Sequence, residues 1–133
     1  MQPKMSIVTL GVDDLVVSTK FYREGLGLPY SSHSNEHISF FELKGTWLAL
    51  FPLAQLAEDA KVDSKKGHFS GITLAHNVRA KEEVINILML AQSAGGLITK
   101  EAEETLWGGY SGYFSDPNGY LWEVAWNPHF WIE

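Results

Sequence analysis

Glu123 is the residue of this chain whose type and position best suit chemistry. Strand alternation around it places Leu121, Glu123 and Ala125 on one face and larger apolar side chains on the other. The larger set is expected to pack against helices, which turns Glu123 toward the opposite, open face. There it can act as a general base or hold the polar group of a ligand. It can equally be a carboxylate that a neighbouring hydroxyl satisfies, and both interpretations stay open.

Six other side chains are candidate ligand contacts, because they carry hydroxyls or rings that can meet a small molecule. They are Thr9, Trp47, Thr73, Trp107, Tyr110 and Tyr113. Trp107 and Tyr110 belong to the segment 105–112, whose three glycines would let the backbone approach another group closely. Tyr113 and its neighbour Phe114 take opposite faces of a strand, and Phe114 is the expected core residue. The alternatives are locally satisfied threonines and a loop with aromatic anchors.

The chain contains five histidines and no cysteine. The absence of cysteine removes disulfides, zinc–thiolate sites and thiol nucleophiles together. His76 is the most interesting histidine, since it lies at the end of a predicted strand. Alternation nevertheless points it away from the face that Thr73 and Ala75 share.

Composition places the chain among globular proteins. Its 133 residues are 45% hydrophobic and 20% charged, and its formal net charge is −6. We therefore expect a single domain with a real core. Ten scattered Lys and Arg residues make no basic patch, which argues against nucleic acid as a partner. Without a signal-like segment or a long apolar run, the sequence predicts a cytoplasmic protein with no membrane contact.

The order strand, helix, strand, strand, strand occurs twice along the chain. Asp13 or Asp14 caps the first predicted helix, and Gly25 and Gly27 end it. The segment 70–74 echoes 6–10, after which the pattern restarts, and a duplication explains this best. The predicted strands are 6–11, 28–33, 37–43 and 47–52, then 70–74, 97–100, 105–107, 110–114 and 120–126.

Two stretches resemble the opening and closing signatures of a known family. One is 9–15, Thr-Leu-Gly-Val-Asp-Asp-Leu, followed by 21–28, Phe-Tyr-Arg-Glu-Gly-Leu-Gly-Leu. The other is 113–124, Tyr-Phe-Ser-Asp-Pro-Asn-Gly-Tyr-Leu-Trp-Glu-Val. In this order they resemble the vicinal oxygen chelate superfamily of glyoxalases, bleomycin-resistance proteins and extradiol dioxygenases. The resemblance implies an α+β fold in which two βαβββ modules form a curved mixed-sheet cup.

The predicted organisation is one glyoxalase-like domain over residues 1–133. Module one covers 5–53, module two 68–127 and a tail 128–133. Between the modules, 54–67 is a charge-rich stretch that predicts mainly a solvated connection, with a helical turn at its start as the alternative. The tail and the residues before it are rich in aromatics. Together with the habits of the superfamily, these aromatics predict a homodimer.

The resemblance also implies where a metal would be bound. Metal-dependent members point His, Gln or Glu side chains into the cup from the first and last strands of each module. Those positions fall here at Ile7, Gly71, either Ala49 or Leu50, and Glu123. Only Glu123 can coordinate a metal, whereas a catalytic zinc already needs about three protein ligands. No cofactor is therefore expected, with a divalent metal as the alternative.

These observations predict a glyoxalase- or bleomycin-resistance-like protein that binds a small, partly apolar molecule in an aromatic cup without the family's metal. The negative net charge favours a cationic or neutral ligand. Two alternatives stay open. One is a metal-dependent lyase, isomerase or dioxygenase of the glyoxalase type, with a partner such as His76 beside Glu123. The other is a metal-free enzyme that uses Glu123 as its base.

Overall fold

Two units, each with its own mixed sheet, make up the chain. The computed structural model describes residues 1–129 and 132, and the units are Met1–Gly67 and His68–Glu133. Within the described residues no helix is long and apolar enough to cross a membrane. The prediction that both modules form one domain concerns their mutual arrangement and stays a prediction.

Unit one has a three-stranded sheet in the order β1-β3-β2. Strand β1 runs parallel to β3, while β2 pairs with β3 in the antiparallel sense. Its elements are β1 Ile7–Val12, α1 Leu15–Lys20, a π-helix Phe21–Gly25, β2 Ser39–Phe41, β3 Trp47–Pro52 and α2 Leu53–Ala60.

The first helix begins where the sequence predicts it. The side chain of Asp14 accepts a hydrogen bond from the backbone N–H of Val17 at 3.1 Å, which satisfies one free donor of the first turn. The π-helix that follows turns Phe21 and Tyr22 into the core, where both are buried. Their rings meet edge to face, with centroids 5.1 Å apart.

Unit two has a four-stranded sheet in the order β4-β7-β6-β5, with β4 parallel to β7. Its elements are β4 Thr73–Val78, α3 Lys81–Ser93, β5 Leu97–Glu104, β6 Tyr110–Ser115 and β7 Leu121–Trp126. Helix α3 covers one face of this sheet through its buried residues Val84, Leu88 and Ala91. The βαβββ order predicted for the second half is thereby confirmed.

Besides the strand predicted at 70–74, which the structure has at Thr73–Val78, three predicted elements differ from the structure. The strand predicted at 28–33 is reduced to one bridge between Tyr30 and Phe41. The amide of His33 bonds to the Ser31 hydroxyl at 3.2 Å, and such local bonds compete with a sheet ladder. Residues 105–107 form a turn instead of a strand, with the Gly108 amide bonded to the Thr105 carbonyl at 3.2 Å.

The third difference is helix α2, which occupies the first part of the predicted connection. It forms because Leu53 and Leu56 pack against Gly11 of β1. A β-carbon on Gly11 would lie 2.6 Å from Leu53 Cδ1, so the glycine makes room for this helix. The charged residues that suggested a solvated loop occupy the exposed side.

Candidate functional site

The open face of the unit-two sheet is the face that α3 leaves uncovered. A β-carbon on Gly112 would lie 2.6 Å from Leu88 Cδ1, so Gly112 faces α3. Its partner on β7 is Val124, which is fully buried. Alternation therefore places Tyr113 and Glu123 on the open face, where they pair directly across β6 and β7. The orientation predicted for Glu123 from the sequence rests on the same strand alternation.

Lys100, Tyr113, Glu123 and Ala75 form a row across four adjacent strands, from β5 to β4. Tyr113 and Glu123 are direct cross-strand neighbours, so the phenol and the carboxyl lie side by side. Lys100 Nζ lies 6.0 Å from the centre of the Tyr113 ring and 3.2 Å from Glu103 Oε1. The open face thus carries a phenol and an amine between two acids, Glu123 and Glu103.

The electrostatics of this row act on the Tyr113 hydroxyl. Burial raises the pKa of Tyr113 above its ordinary value, and the charge of Glu123 raises this pKa further. Lys100 lowers it, and the hydrogen bond to Glu123 raises it again. Tyr113 consequently keeps its proton to a higher pH than an ordinary tyrosine does. A carboxylate has about four acceptor positions, so most remain for a ligand.

Tyr110 does not share this face. It lies opposite Trp126 on the side of the sheet that α3 covers. Lys81 Nζ, at the start of α3, lies 5.7 Å from its ring centre and 5.3 Å from that of Trp126. The arrangement is a cation–π cluster that fixes the beginning of the helix.

Trp107 lies in the turn between β5 and β6, and 44% of its surface is exposed. A β-carbon on Gly109 would overlap its ring at 1.8 Å. The Trp107 carbonyl oxygen is 2.8 Å from His129 Nε2, and the same imidazole lies against Gly108. The close approach that the three glycines allow is therefore an approach by the chain's own side chains.

Thr9 and Trp47 share the face of the unit-one sheet that α1 leaves uncovered. The Thr19 hydroxyl of α1 is 2.7 Å from the Ser39 hydroxyl, which identifies the face covered by α1. Thr9 lies opposite Ala49 on the other face, and Trp47 pairs with Ile7. These positions make an apolar surface with one hydroxyl.

Two aromatic neighbours of Trp47 were not among the predicted contacts. Its ring centre is 6.3 Å from that of Phe40 and 6.0 Å from that of His33. Alternation of Phe40 with the buried Phe41 could have identified the first. His33 lies in an irregular loop, where the sequence gives no comparable signal.

The sheet register corrects one predicted metal position. Ile7 pairs with Trp47, the first residue of β3, and Thr73 pairs with Leu121, the first residue of β7. Thr73 therefore occupies in unit two the place of Ile7 in unit one. Gly71 lies before β4, with a positive φ of 78°. The sequence echo between 6–10 and 70–74 suggested that Thr73 is the counterpart of Thr9. The sheet register shows that it is not.

The residues at these positions do not fit the metal implied by the resemblance. Ile7 and Ala49 have no donor atoms, and a neutral threonine hydroxyl does not replace an imidazole or a carboxylate. His76 pairs with Val124 and lies on the opposite side of the sheet from Glu123, as alternation predicts. In the part of the chain that is described, no three His, Asp or Glu side chains form a group that could hold a metal ion.

The fold and the two signatures define the class of protein to which the chain belongs. Residues 4–124 match the family model described as the Glyoxalase/Bleomycin resistance protein/Dioxygenase superfamily. The chain is a member of this superfamily. The resemblance inferred from the sequence is thereby confirmed, together with the α+β fold class.

Solved structures agree with this assignment. A glyoxalase-related enzyme from Fulvimarina pelagi is 36% identical, with a TM-score of 0.89 over 98% of this chain and 93% of that one. A glyoxalase/bleomycin resistance protein/dioxygenase family enzyme from Burkholderia phytofirmans is 18% identical, with a TM-score of 0.83 over 92% and 98% of the two chains. Lactoylglutathione lyase from Agrobacterium tumefaciens is 22% identical, with a TM-score of 0.71 over 96% and 98%. The last two share the fold alone, and no curated protein matches the chain.

Proposed function

We propose that this chain binds a small, partly apolar molecule on the open face of the unit-two sheet, without the metal of the metal-dependent superfamily members. The observation that supports this most is the cross-strand pair of Tyr113 and Glu123 in the middle of that face, in which the charge of Glu123 raises the pKa of Tyr113. Of the expected metal positions, only Glu123 keeps a side chain that can coordinate a metal. A carboxylate beside a phenol offers a ligand an acceptor and a hydroxyl at the same place.

The chemistry of the face suggests what the ligand carries. Glu123 accepts hydrogen bonds, so a cationic or neutral donor group suits it better than an anion. The half-buried Leu121 and the exposed Ala75 flank Glu123 and offer apolar contact. Thr73 begins β4 opposite Leu121 and can add a hydroxyl at the same end. The proposed ligand is therefore an apolar molecule with one donor group.

The test is a screen of small neutral and cationic fragments by saturation-transfer NMR against the full chain. We expect fragments that bind the wild-type protein to lose most of their signal with Glu123→Gln and with Tyr113→Phe. Both variants keep the size of the side chain and remove one partner of the pair. A charge-assisted hydrogen bond contributes roughly 1.5–3 kcal/mol, which corresponds to a loss of about tenfold or more in affinity.

Tyr110→Phe is the matched control. It removes a hydroxyl from the same strand, but on the face that α3 covers. The proposal predicts unchanged fragment binding for this variant. Equal losses with Tyr110→Phe and Tyr113→Phe, or full binding by Glu123→Gln, would contradict it.

A second candidate is a metal-free enzyme in which Glu123 is a general base. Its support is the same cross-strand pair, because a carboxylate and a neighbouring phenol can accept and return a proton during a reaction. The relative from Fulvimarina pelagi is named a glyoxalase-related enzyme. The test is exchange of carbon-bound hydrogens of bound fragments in D2O, followed by proton NMR. Exchange that Glu123→Gln abolishes would support catalysis, and binding without exchange would favour a binding protein.

We also propose that the protein forms a homodimer and works in the cytoplasm. Phe130 and Trp131, which contributed to the dimer prediction, lie outside the described residues. The remaining support is the habit of the superfamily and the prevalence of two-fold homodimers. Sedimentation of the purified chain would give a mass near twice 14.9 kDa if the proposal holds.

A further inference from the structure

A pocket of about 410 Å³ opens in unit one, on the side of its sheet that α1 covers. It lies between the outer side of α1 with its π-helix and the irregular segment that leads into β2. Ser39, which lines it, is bonded to Thr19 of α1 and therefore belongs to the helix side of the sheet. The volume falls in the range of about 300–1,000 Å³ in which small-molecule pockets occur.

The π-helix shapes one wall of the pocket. Its first two residues, Phe21 and Tyr22, are buried in the core, while the next two, Arg23 and Glu24, are exposed and line the pocket. The π-helix therefore has an apolar side that faces the core and a charged side that faces the pocket. Single turns of π-helix occur often at functional sites.

The pocket also contains a hydroxyl pair. The Thr19 and Ser39 hydroxyl oxygens are 2.7 Å apart, and Ser39 is 2% exposed. One hydrogen is shared between them, which leaves the other for a molecule in the pocket. The pair can therefore donate one hydrogen bond into the cavity.

Two positive and two negative side chains line the same pocket. The Arg23 guanidinium lies over the Tyr30 ring, 4.4 Å from its centre, which fixes the plane of the guanidinium. Lys20 and Glu24 are four residues apart, a spacing that favours ion pairs. Within the described residues, however, no ion pair at 4.0 Å or less joins these two side chains. Both charges remain open to a ligand.

We propose that this pocket binds a small zwitterion of the amino-acid type. Arg23 and Lys20 hold its carboxylate, and Glu24 holds its ammonium group. The apolar side chain lies against Leu15 and against Val16, which is 78% exposed. Lys20, Arg23 and Glu24 project from the same helical wall, so a ligand with one charge would meet a like charge beside its partner, whereas a ligand with both charges complements all three side chains. This site is independent of the function proposed for unit two.

The test uses the 15N-labelled full chain and L-leucine as the probe. We expect L-leucine to shift the backbone amides of residues 19–24 and 35–39 in a saturable manner. Three matched probes remove its charges: leucinamide lacks the carboxylate, N-acetylleucine lacks the ammonium group, and N-acetylleucinamide lacks both. Each should bind at least about tenfold more weakly, because each loses a charge-assisted contact.

Two variants locate the contacts. Arg23→Gln should weaken L-leucine binding about tenfold or more through the carboxylate, and Glu24→Gln should do so through the ammonium group. Lys44→Gln and Glu58→Gln are exposed positions with the same charge changes and should leave binding unchanged. Using both acidic and basic variants keeps the test decisive if one of them folds poorly.

Three results would overturn this inference. The first is the absence of saturable shifts in the pocket amides. The second is equal binding of N-acetylleucine and L-leucine, which would indicate a site for a simple carboxylate. The third is shifts confined to the amides around Tyr113 and Glu123, which would assign the amino acid to the other site.

Discussion

At the scale of single residues, the contact of Tyr113 with Glu123 is the feature on which the proposed function depends. Both residues were candidates from the sequence, because alternation in β6 and β7 orients them independently. Lys100 was not a candidate. Ile98 pairs with Phe114, so regular alternation would place Lys100 opposite Gly112, on the α3 side. A bulge between Ile98 and Lys100 shifts it opposite Tyr113 instead, and the sequence gives no signal for that bulge.

The first prediction at this scale concerns the titration of Tyr113. Glu123→Gln should lower the pKa of Tyr113 toward its ordinary value, because a charge that opposes the tyrosinate is removed. Lys100→Gln should raise the pKa further, because a stabilising positive charge is lost. Absorbance at alkaline pH or 13C-tyrosine NMR would measure both shifts. Identical tyrosine titrations in all three proteins would contradict the proposed row of side chains.

The raised pKa of Tyr113 also makes the stability of the folded chain depend on pH. The folded chain holds the Tyr113 proton more tightly than an unfolded chain, whose tyrosines titrate near 10.0. The stabilisation from this residue is therefore complete below that pH and is lost as the pH rises through the folded-state pKa. Tyr113→Phe should remove that part of the alkaline loss of stability.

At the scale of elements, the packing of α3 on its sheet depends on the absence of a side chain at Gly112. A β-carbon there would lie 2.6 Å from Leu88 Cδ1 and 2.8 Å from the Lys100 carbonyl oxygen. The second neighbour is backbone and cannot move without disturbing β5. From the sequence, the glycines of segment 105–112 predicted a close approach of the backbone to another group, with a loop with aromatic anchors as the alternative. The structure shows instead that they make room for the chain itself.

Gly112→Ala should consequently lower the free energy of unfolding by roughly 1–3 kcal/mol, as overpacking does. Urea denaturation followed by circular dichroism would measure it. Gly67→Ala is the matched control, because its β-carbon would have no atom within 4 Å and its φ is not in the left-handed region. Equal stability of the two variants would show that α3 does not pack on β6 in this way.

Elements also show where sequence patterns lose information. The repeat of strand and helix order could be read because apolar spacing follows backbone geometry. Helix α2 is less evident, since it has only eight residues and its apolar side, Leu53, Leu56 and Ala57, is followed by the charge-rich stretch 58–66. The match between Thr9 and Thr73 was misleading, because similarity of letters does not determine hydrogen-bond register. Register depends on which strand lies alongside, and this is a tertiary property.

At the scale of the whole molecule, the chain keeps the superfamily's fold while changing the residues that the resemblance associates with metal binding. Ile7, Ala49 and Thr73 occupy three of those positions, and only Glu123 keeps a donor of the expected type. The fold can persist when the metal-binding residues change, because a strand accommodates an apolar residue as well as it accommodates a metal-binding one. Membership in the superfamily therefore defines the scaffold, and the side chains define what it binds.

This contrast predicts the metal content of the purified protein. After dialysis without chelator, elemental analysis should find iron, manganese, nickel and zinc far below one atom per chain. Addition and removal of EDTA should leave fragment binding unchanged. A near-stoichiometric metal would contradict the proposed function and would redirect the search to donors around Glu123.

The position of β5 at the end of the strand order β4-β7-β6-β5 has a consequence for handling the protein. Its second half, Lys-Glu-Ala-Glu-Glu at 100–104, is strongly charged. Charges on an outermost strand discourage another chain from adding to the sheet, which protects against aggregation. Lys100 therefore contributes to colloidal behaviour as well as to the row with Tyr113. Light scattering should accompany every measurement on Lys100→Gln, so that loss of edge protection is not mistaken for loss of ligand binding.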